Sequence, residues 1–192
     1  RGDLGQVLAG IQAAKAVGLT VKINMVALKG LNEDEIGDMI AWCGGEGFDL
    51  TLIETMPLGA IDEDRVDRYL PLDAVKQRLD ERFTLIPSLH RTGGPARYFD
   101  VAETGGRLGL ITPLSNNFCA GCNRIRITAT GTIFGCLGHD QKVELRDLMC
   151  GGGSEAVNEA LDRLIAGKPR RHDFHIKAAR PAVERHMSVT GG

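Results

Sequence analysis

Cys119, Cys122 and Cys136 are the residues of this chain whose type and spacing point most directly to chemistry. Cys119-Ala120-Gly121-Cys122 is a C-x-x-C knuckle, and its small central residues let both sulfurs face one metal site. From Asn123 to Thr128 the sequence alternates strictly, with Arg124 and Arg126 pointing one way and Ile125 and Ile127 the other. Thr130-Gly131 turns the chain, and the return strand carries Cys136 back beside the knuckle. Cys136-Leu137-Gly138-His139 repeats the spacing, so Cys119, Cys122, Cys136 and His139 could form a Cys3His zinc site. Spacing alone does not separate zinc from an iron–sulfur cluster. The arginines favour the cluster. A structural zinc ribbon has no need of two cations beside its thiolates, whereas three cysteines, an open iron and two arginines suit an anionic ligand. A solvated strand face is the plainer reading of the arginines.

Two strands carry polar residues where a buried parallel strand would be apolar. Lys22 and Asn24 share one face of the run Leu19 to Leu28, as a ligand-holding barrel interior or an exposed edge strand would require. Glu54 and Met56 share a face at the C-terminal end of Leu50 to Met56, the end at which α/β folds bind ligands. Glu54 could equally be a paired strand-end charge.

The elements around these residues read as strand–helix–strand with short links, the signature of a parallel α/β unit. Leu4, Val7, Leu8 and Ile11 recur at helical spacing ahead of Gly18. Asn32 with Glu35 predicts an N-cap for a helix carrying Ile36, Met39 and Ile40. A helix is expected over 72–82 and another over 155–165. Between 83 and 134, short strands separated by glycine turns predict a small antiparallel sheet. The expected fold class is therefore α/β, an incomplete barrel over 1–86, followed by a smaller α+β domain over 87–168. A basic tail over 169–192 ends in Gly191-Gly192.

The 192 residues are 43% hydrophobic, enough for a real core, and a net charge of −2 gives no basic surface for nucleic acid. No apolar run could span a bilayer, no signal segment opens the chain, and a cytoplasmic location is expected. Five cysteines, an odd number, argue against a disulfide framework. The chain starts at Arg1 inside a helix pattern, so sequence upstream is expected.

The run from Ser115 to Arg126, Ser-Asn-Asn-Phe-Cys-Ala-Gly-Cys-Asn-Arg-Ile-Arg, closely resembles the auxiliary-cluster motif of the radical S-adenosylmethionine GTP 3',8-cyclase family of molybdenum-cofactor biosynthesis. The likeness extends to Val21–Asn24, Lys29–Glu35, Ile53–Gly59 and Met187–Gly192, and covers essentially the whole chain. It implies that Cys119, Cys122 and Cys136 hold a 4Fe–4S cluster whose open iron takes the guanine end of GTP. Lys22, Arg124 and Arg126 would contact GTP, and Met56 would lie at the S-adenosylmethionine site. The double glycine, Gly191 and Gly192, would reach the active site and position a catalytic arginine, with Arg180 and Arg185 the candidates.

The reaction implied is lyase chemistry: a deoxyadenosyl radical from S-adenosylmethionine starts cyclisation of GTP to a 3',8-cyclised dihydroguanosine triphosphate. Its partners would be an electron donor and the downstream cyclic pyranopterin monophosphate synthase, with neither nucleic acid nor membrane; a homodimer stays open. The family's C-x-x-x-C-x-x-C motif is missing from this sequence, so the second 4Fe–4S cluster would belong to an N-terminal part, and this chain alone is expected to be inactive. The alternatives are another radical S-adenosylmethionine protein with an auxiliary cluster and a zinc-ribbon binding module.

Overall fold

The structure, a computed structural model, describes residues 2–59, 65–176 and 181–190. The chain divides into two compact units, Arg1–Thr55 with Arg68–Ser115, and Met56–Asp67 with Asn116–Gly192.

In the first unit, α1 (Leu4–Ala16) forms where the spacing predicts it, with the Asp3 carboxylate taking the Gln6 amide at 3.2 Å. Only Ile11 of its apolar stripe packs on the core, and Leu4 stays 71% exposed. Next, β1 (Lys22–Ala27), α2 (Ile36–Glu46) and β2 (Asp49–Glu54) make the expected parallel unit, paired from Lys22↔Asp49 to Ala27↔Glu54. Asn32 is not the N-cap of α2. Its side-chain oxygen takes the Leu28 amide at 2.8 Å and its amide donates to the Val26 carbonyl at 3.0 Å, so it closes the turn after β1 instead.

After the short α3 (Arg65–Arg68) come α4 (Leu72–Leu79), β3 (Leu85–Pro87), β4 (Arg97–Val101) and β5 (Arg107–Ile111). These strands extend the first sheet, in the order β1-β2-β5-β4-β3. β5 runs parallel to β2 and antiparallel to β4. The switch to antiparallel pairing expected near Pro87 therefore occurs inside one sheet rather than at a boundary between 86 and 87. The cause is visible in β5: Leu108, Gly109 and Leu110 are all buried, the pattern of a central strand. Leu108 and Leu110 join Leu50 and Leu52 on the face covered by Ile36, Ile40 and Cys43 of α2 and Leu72, Val75 and Leu79 of α4. Each such leucine contributes about 1.5–3 kcal/mol on burial, so β5 is held beside β2. Among the described residues the parallel strands are β1, β2 and β5, and the sheet is open.

The second unit holds an antiparallel sheet, β6 (Arg126–Ile127), β7 (Thr132–Phe134) and β8 (Lys142–Glu144), then α5 (Leu145–Gly151) and α6 (Gly153–Ala166). Among the described residues its buried hydrophobic side chains include Ile133, Phe134, Ala160, Leu164 and Phe174, with Leu58 and Val183. The weakly periodic tail is docked over 181–190. Leu58 and Val183 form a parallel bridge, the Gly59 amide donates to the Val183 carbonyl at 3.0 Å, and the Ala182 amide donates to the Pro57 carbonyl at 3.1 Å. Among the described residues no helix is long and apolar enough to cross a membrane.

Candidate functional site

Three short elements present the thiols of the second unit. Cys119 and Cys122 bracket a single 3-10 turn, Cys119–Gly121, whose start is fixed by the Asn117 side-chain oxygen accepting the Cys119 amide at 2.7 Å. The hairpin β6–β7 closes as the sequence predicts, with the Gly131 amide on the Thr128 carbonyl at 3.0 Å and the Thr132 amide on the Thr128 hydroxyl, also at 3.0 Å. Cys136 follows two residues after β7. All three thiols are half-buried and free of disulfides. Burial pushes the Cys136 thiol up, a rise opposed by the Gly138 amide and added to by the charges of Cys119 and Cys122. The hairpin thus brings the three sulfurs into electrostatic range of one another.

The donor set fits a cluster. Sulfur ligands of an iron–sulfur centre are surrounded by N–H donors, which together with charge and exposure set its potential. Here the Gly138 amide donates to Cys136 Sγ at 3.4 Å, and Lys168 Nζ lies 3.6 Å from Cys122 Sγ. Gly138 is needed for space: a Cβ would come 2.6 Å from the Phe174 ring, which stacks on His172 with centroids 4.2 Å apart. A single zinc ion needs its ligands about 2.0–2.3 Å from one centre. Among the described residues no three His, Cys, Asp or Glu side chains are gathered to hold one ion. His139 Nε2 faces the Arg171 carbonyl at 3.3 Å and Asp173 at 3.9 Å. In this structure the Cys3His set allowed by the spacing is not gathered, and by the same measure neither are the three cysteines alone.

The strand leaving the knuckle is inverted in polarity. Cys122, Arg124 and Arg126 share the half-buried phase, while Ile125 and Ile127 are 41% and 52% exposed. Burying a guanidinium while exposing an isoleucine runs against transfer energies. Arg124 and Arg126 each also have an interaction within the chain.

In the first unit, Lys22 and Asn24 lie on the exposed phase of β1, which is an edge strand. Lys22 is nonetheless engaged. Its Nζ is 2.9 Å from the Tyr98 hydroxyl and 5.5 Å from the ring centroid. Tyr98 is buried and crosses Gly109, where a Cβ would come 3.0 Å from its ring and 2.9 Å from Thr51 Oγ1. Burial pushes the Tyr98 phenol up, but hydrogen bonds from Lys22 and Thr92 and the Lys22 charge outweigh it, leaving the phenol below its ordinary range. On the same face His90 packs edge-on to Tyr98 and lies 3.0 Å from Arg107, which pairs with Asp49 at 2.9 Å. Sequence reading passed over Tyr98, His90 and Arg107, since only the register of β2, β5 and β4 brings them to the face of Lys22.

Glu54 proves to be a paired strand-end charge. It is 1% exposed, and its carboxylate takes the amides of Leu72 at 3.0 Å, Leu114 at 2.9 Å and Ser115 at 3.1 Å, together with the Ser115 hydroxyl. Met56 lies two residues beyond β2, in the second unit, and its carbonyl accepts the Leu58 amide at 2.9 Å. Cys43 is a core thiol pushed up to about 11 by burial and the Asp49 charge; Cys150 is exposed on α5.

Of the tail residues, Arg180, Gly191 and Gly192 lie outside the described residues. The two Nη atoms of Arg185 are engaged on the loop after Cys136, while its buried Nε has no hydrogen-bond partner among the described residues. Its guanidinium donates to the carbonyls of Cys136 at 3.3 Å, Leu137 at 3.0 Å and His139 at 2.6 Å and to the Asp140 carboxylate, and lies 4.0 Å over the Phe134 ring. Arg185→Ala is expected to cost about 2–3 kcal/mol, because three carbonyls lose a charged donor. Urea titration measures this, and a change below about 0.5 kcal/mol would show that the clamp is dispensable.

The Molybdenum Cofactor Synthesis C family model matches residues 48–174. Over its full length the chain is 58% identical to a GTP 3',8-cyclase of Erythrobacter litoralis, 56% to one of Rhizobium meliloti and 56% to one of Caulobacter vibrioides. It spans 58%, 56% and 55% of those relatives' lengths. With a family match that takes in all three cysteines of the hairpin, the chain belongs to the Molybdenum Cofactor Synthesis C family.

Proposed function

We propose that this chain is the C-terminal part of a radical S-adenosylmethionine GTP 3',8-cyclase of molybdenum-cofactor biosynthesis, and that it is the part that anchors GTP. One observation carries the reading: a three-thiol hairpin with its arginines turned inward and its isoleucines outward, in a chain alignable throughout with such cyclases.

Cys119, Cys122 and Cys136 would hold a 4Fe–4S cluster, leaving one iron for the substrate base. The bound clusters and S-adenosylmethionine supply the radical chemistry. The chain's own residues bind and orient. Arg124 and Arg126 present fixed positive charge to the nucleotide in a half-buried setting, where charge-assisted hydrogen bonds are strong. Lys22, held by Tyr98, offers a third cation, and Met56 would contribute to S-adenosylmethionine binding. The parallel strands β1, β2 and β5 would form part of an incomplete barrel, and the β6–β8 unit would be the auxiliary-cluster domain. The second cluster, the electron donor and the downstream synthase belong to the whole enzyme, in which this chain by itself would be inactive.

Metal analysis tests this reading. The chain reconstituted anaerobically should be brown and hold iron and acid-labile sulfide in near-equal amounts. Cys136→Ser should lose most of the iron, and His139→Ala should keep it. Stoichiometric zinc without sulfide, lost in His139→Ala, would reject the cluster.

A further inference from the structure

We propose that Lys168 is a positioning residue for the cysteine knuckle and the charge that raises the reduction potential of a cluster bound there; this rests on the cluster reading above. Lys168 is the residue after Gly167, the C-cap of α6. A Cβ on Gly167 would come 2.4 Å from Gln141 Nε2, the movable end of an exposed side chain, and 3.2 Å from the Arg163 carbonyl, so glycine fits here with the least adjustment. The Lys168 amide caps the helix by donating to the Ile165 carbonyl at 3.1 Å. Pro169 holds the residue before it away from helical geometry. The side chain is thereby aimed back at the knuckle.

An ammonium has three N–H donors and no acceptor. Lys168 directs them to the Cys122 carbonyl at 2.9 Å, the Arg124 carbonyl at 2.6 Å and Cys122 Sγ at 3.6 Å. All three acceptors belong to one loop, so a single cation fixes both the backbone after the knuckle and the rotamer of the second thiol. Three thiolates concentrate negative charge, and an N–H donor or cation at a cluster sulfur favours the reduced, more negative state. Lysine suits this place better than arginine, since a compact point charge reaches three converging acceptors that a planar fork cannot.

The test uses this chain, anaerobically reconstituted, in wild-type, Lys168→Met, Lys168→Arg and Lys142→Met forms, with iron release to a chelator and the cluster's potential as readouts. Lys168→Met should release iron about 10- to 100-fold faster, the usual cost of losing an outer-shell partner, and have a lower potential. Lys168→Arg should keep the potential close to wild type yet release iron faster than wild type. Lys142→Met removes an exposed cation that pairs with Glu144 at 3.1 Å, and should change neither. A loaded Lys168→Met with wild-type potential and release rate would overturn the proposal. Should Lys168→Met load no iron, Lys168→Arg decides: restored loading supports the proposal, and failure to load with a native circular dichroism spectrum rejects it. Wild-type protein holding no iron and sulfide would instead bring down the cluster reading, and this inference with it.

Discussion

Glu54→Ala is expected to destabilise the chain by about 4 kcal/mol or more, a size reserved for a few mechanisms such as breaking a buried charge network. Glu54 sits at the end of β2 and ties two other places to it: the first turn of α4 through Leu72, and the residues after β5 through Leu114 and Ser115. Removing the carboxylate leaves three backbone amides without their acceptor, at roughly 1–3 kcal/mol each, partly recovered by water. Glu54→Gln, nearly isosteric, should still cost about 2–3 kcal/mol, because an amide must turn a donor toward donors. Urea unfolding monitored by circular dichroism gives both values. A loss below about 1 kcal/mol in Glu54→Ala would mean that the surroundings collapse onto water without penalty. The expectation holds whatever the chain binds, since it concerns the scaffold alone.

The second large effect concerns the nucleotide. Arg124→Ala and Arg126→Ala should each weaken GTP binding to the iron-loaded chain by roughly 1.5–3 kcal/mol, the range for hydrogen bonds to charged groups, or about 10- to 100-fold. Lys22→Ala should act in the same direction. The two arginines are close in sequence and share a phase, so the double variant should lose less than the sum. Iron content should not change in any of them. Anaerobic calorimetry with GTP measures the affinities. Unaltered binding in all three single variants would leave the inward arginines without a substrate role.

What was legible in the sequence was local. The alternation through Arg124 to Ile127 and the Thr130-Gly131 turn predict the hairpin because a two-strand unit is written in its own residues. The parallel pair β1–β2 could be read from one strand–helix–strand stretch. The same logic failed at Asn32, where an amide that can cap a following helix serves equally well in closing the preceding turn, and the local pattern cannot say which. It failed for β5, whose place beside β2 depends on burial across more than fifty positions rather than on anything in 107–111. The site divides in the same way. The cysteines and arginines announce themselves by spacing. Lys168 and Arg185 do not, because their partners are mainly backbone carbonyls more than forty positions away, and a carbonyl has no residue type. Tyr98 is hidden for a related reason: only sheet register brings its hydroxyl to Lys22.

The bridge between Leu58 and Val183 also has a meaning in time. The residues of this chain that belong to the first unit have all been made by residue 115, but 56–67 lies between its two segments and belongs to the second unit. During synthesis residues 57–59 must wait for a partner about 125 positions later. At ordinary elongation rates that wait is on the order of 10 s, far longer than a small sheet needs to form. The nascent chain therefore passes through a stage in which residues 1–115 are made while Leu58, close to Met56, still lacks its Val183 partner, which makes this stretch the natural point for a chaperone to hold, and slow codons upstream of 181 costly to yield.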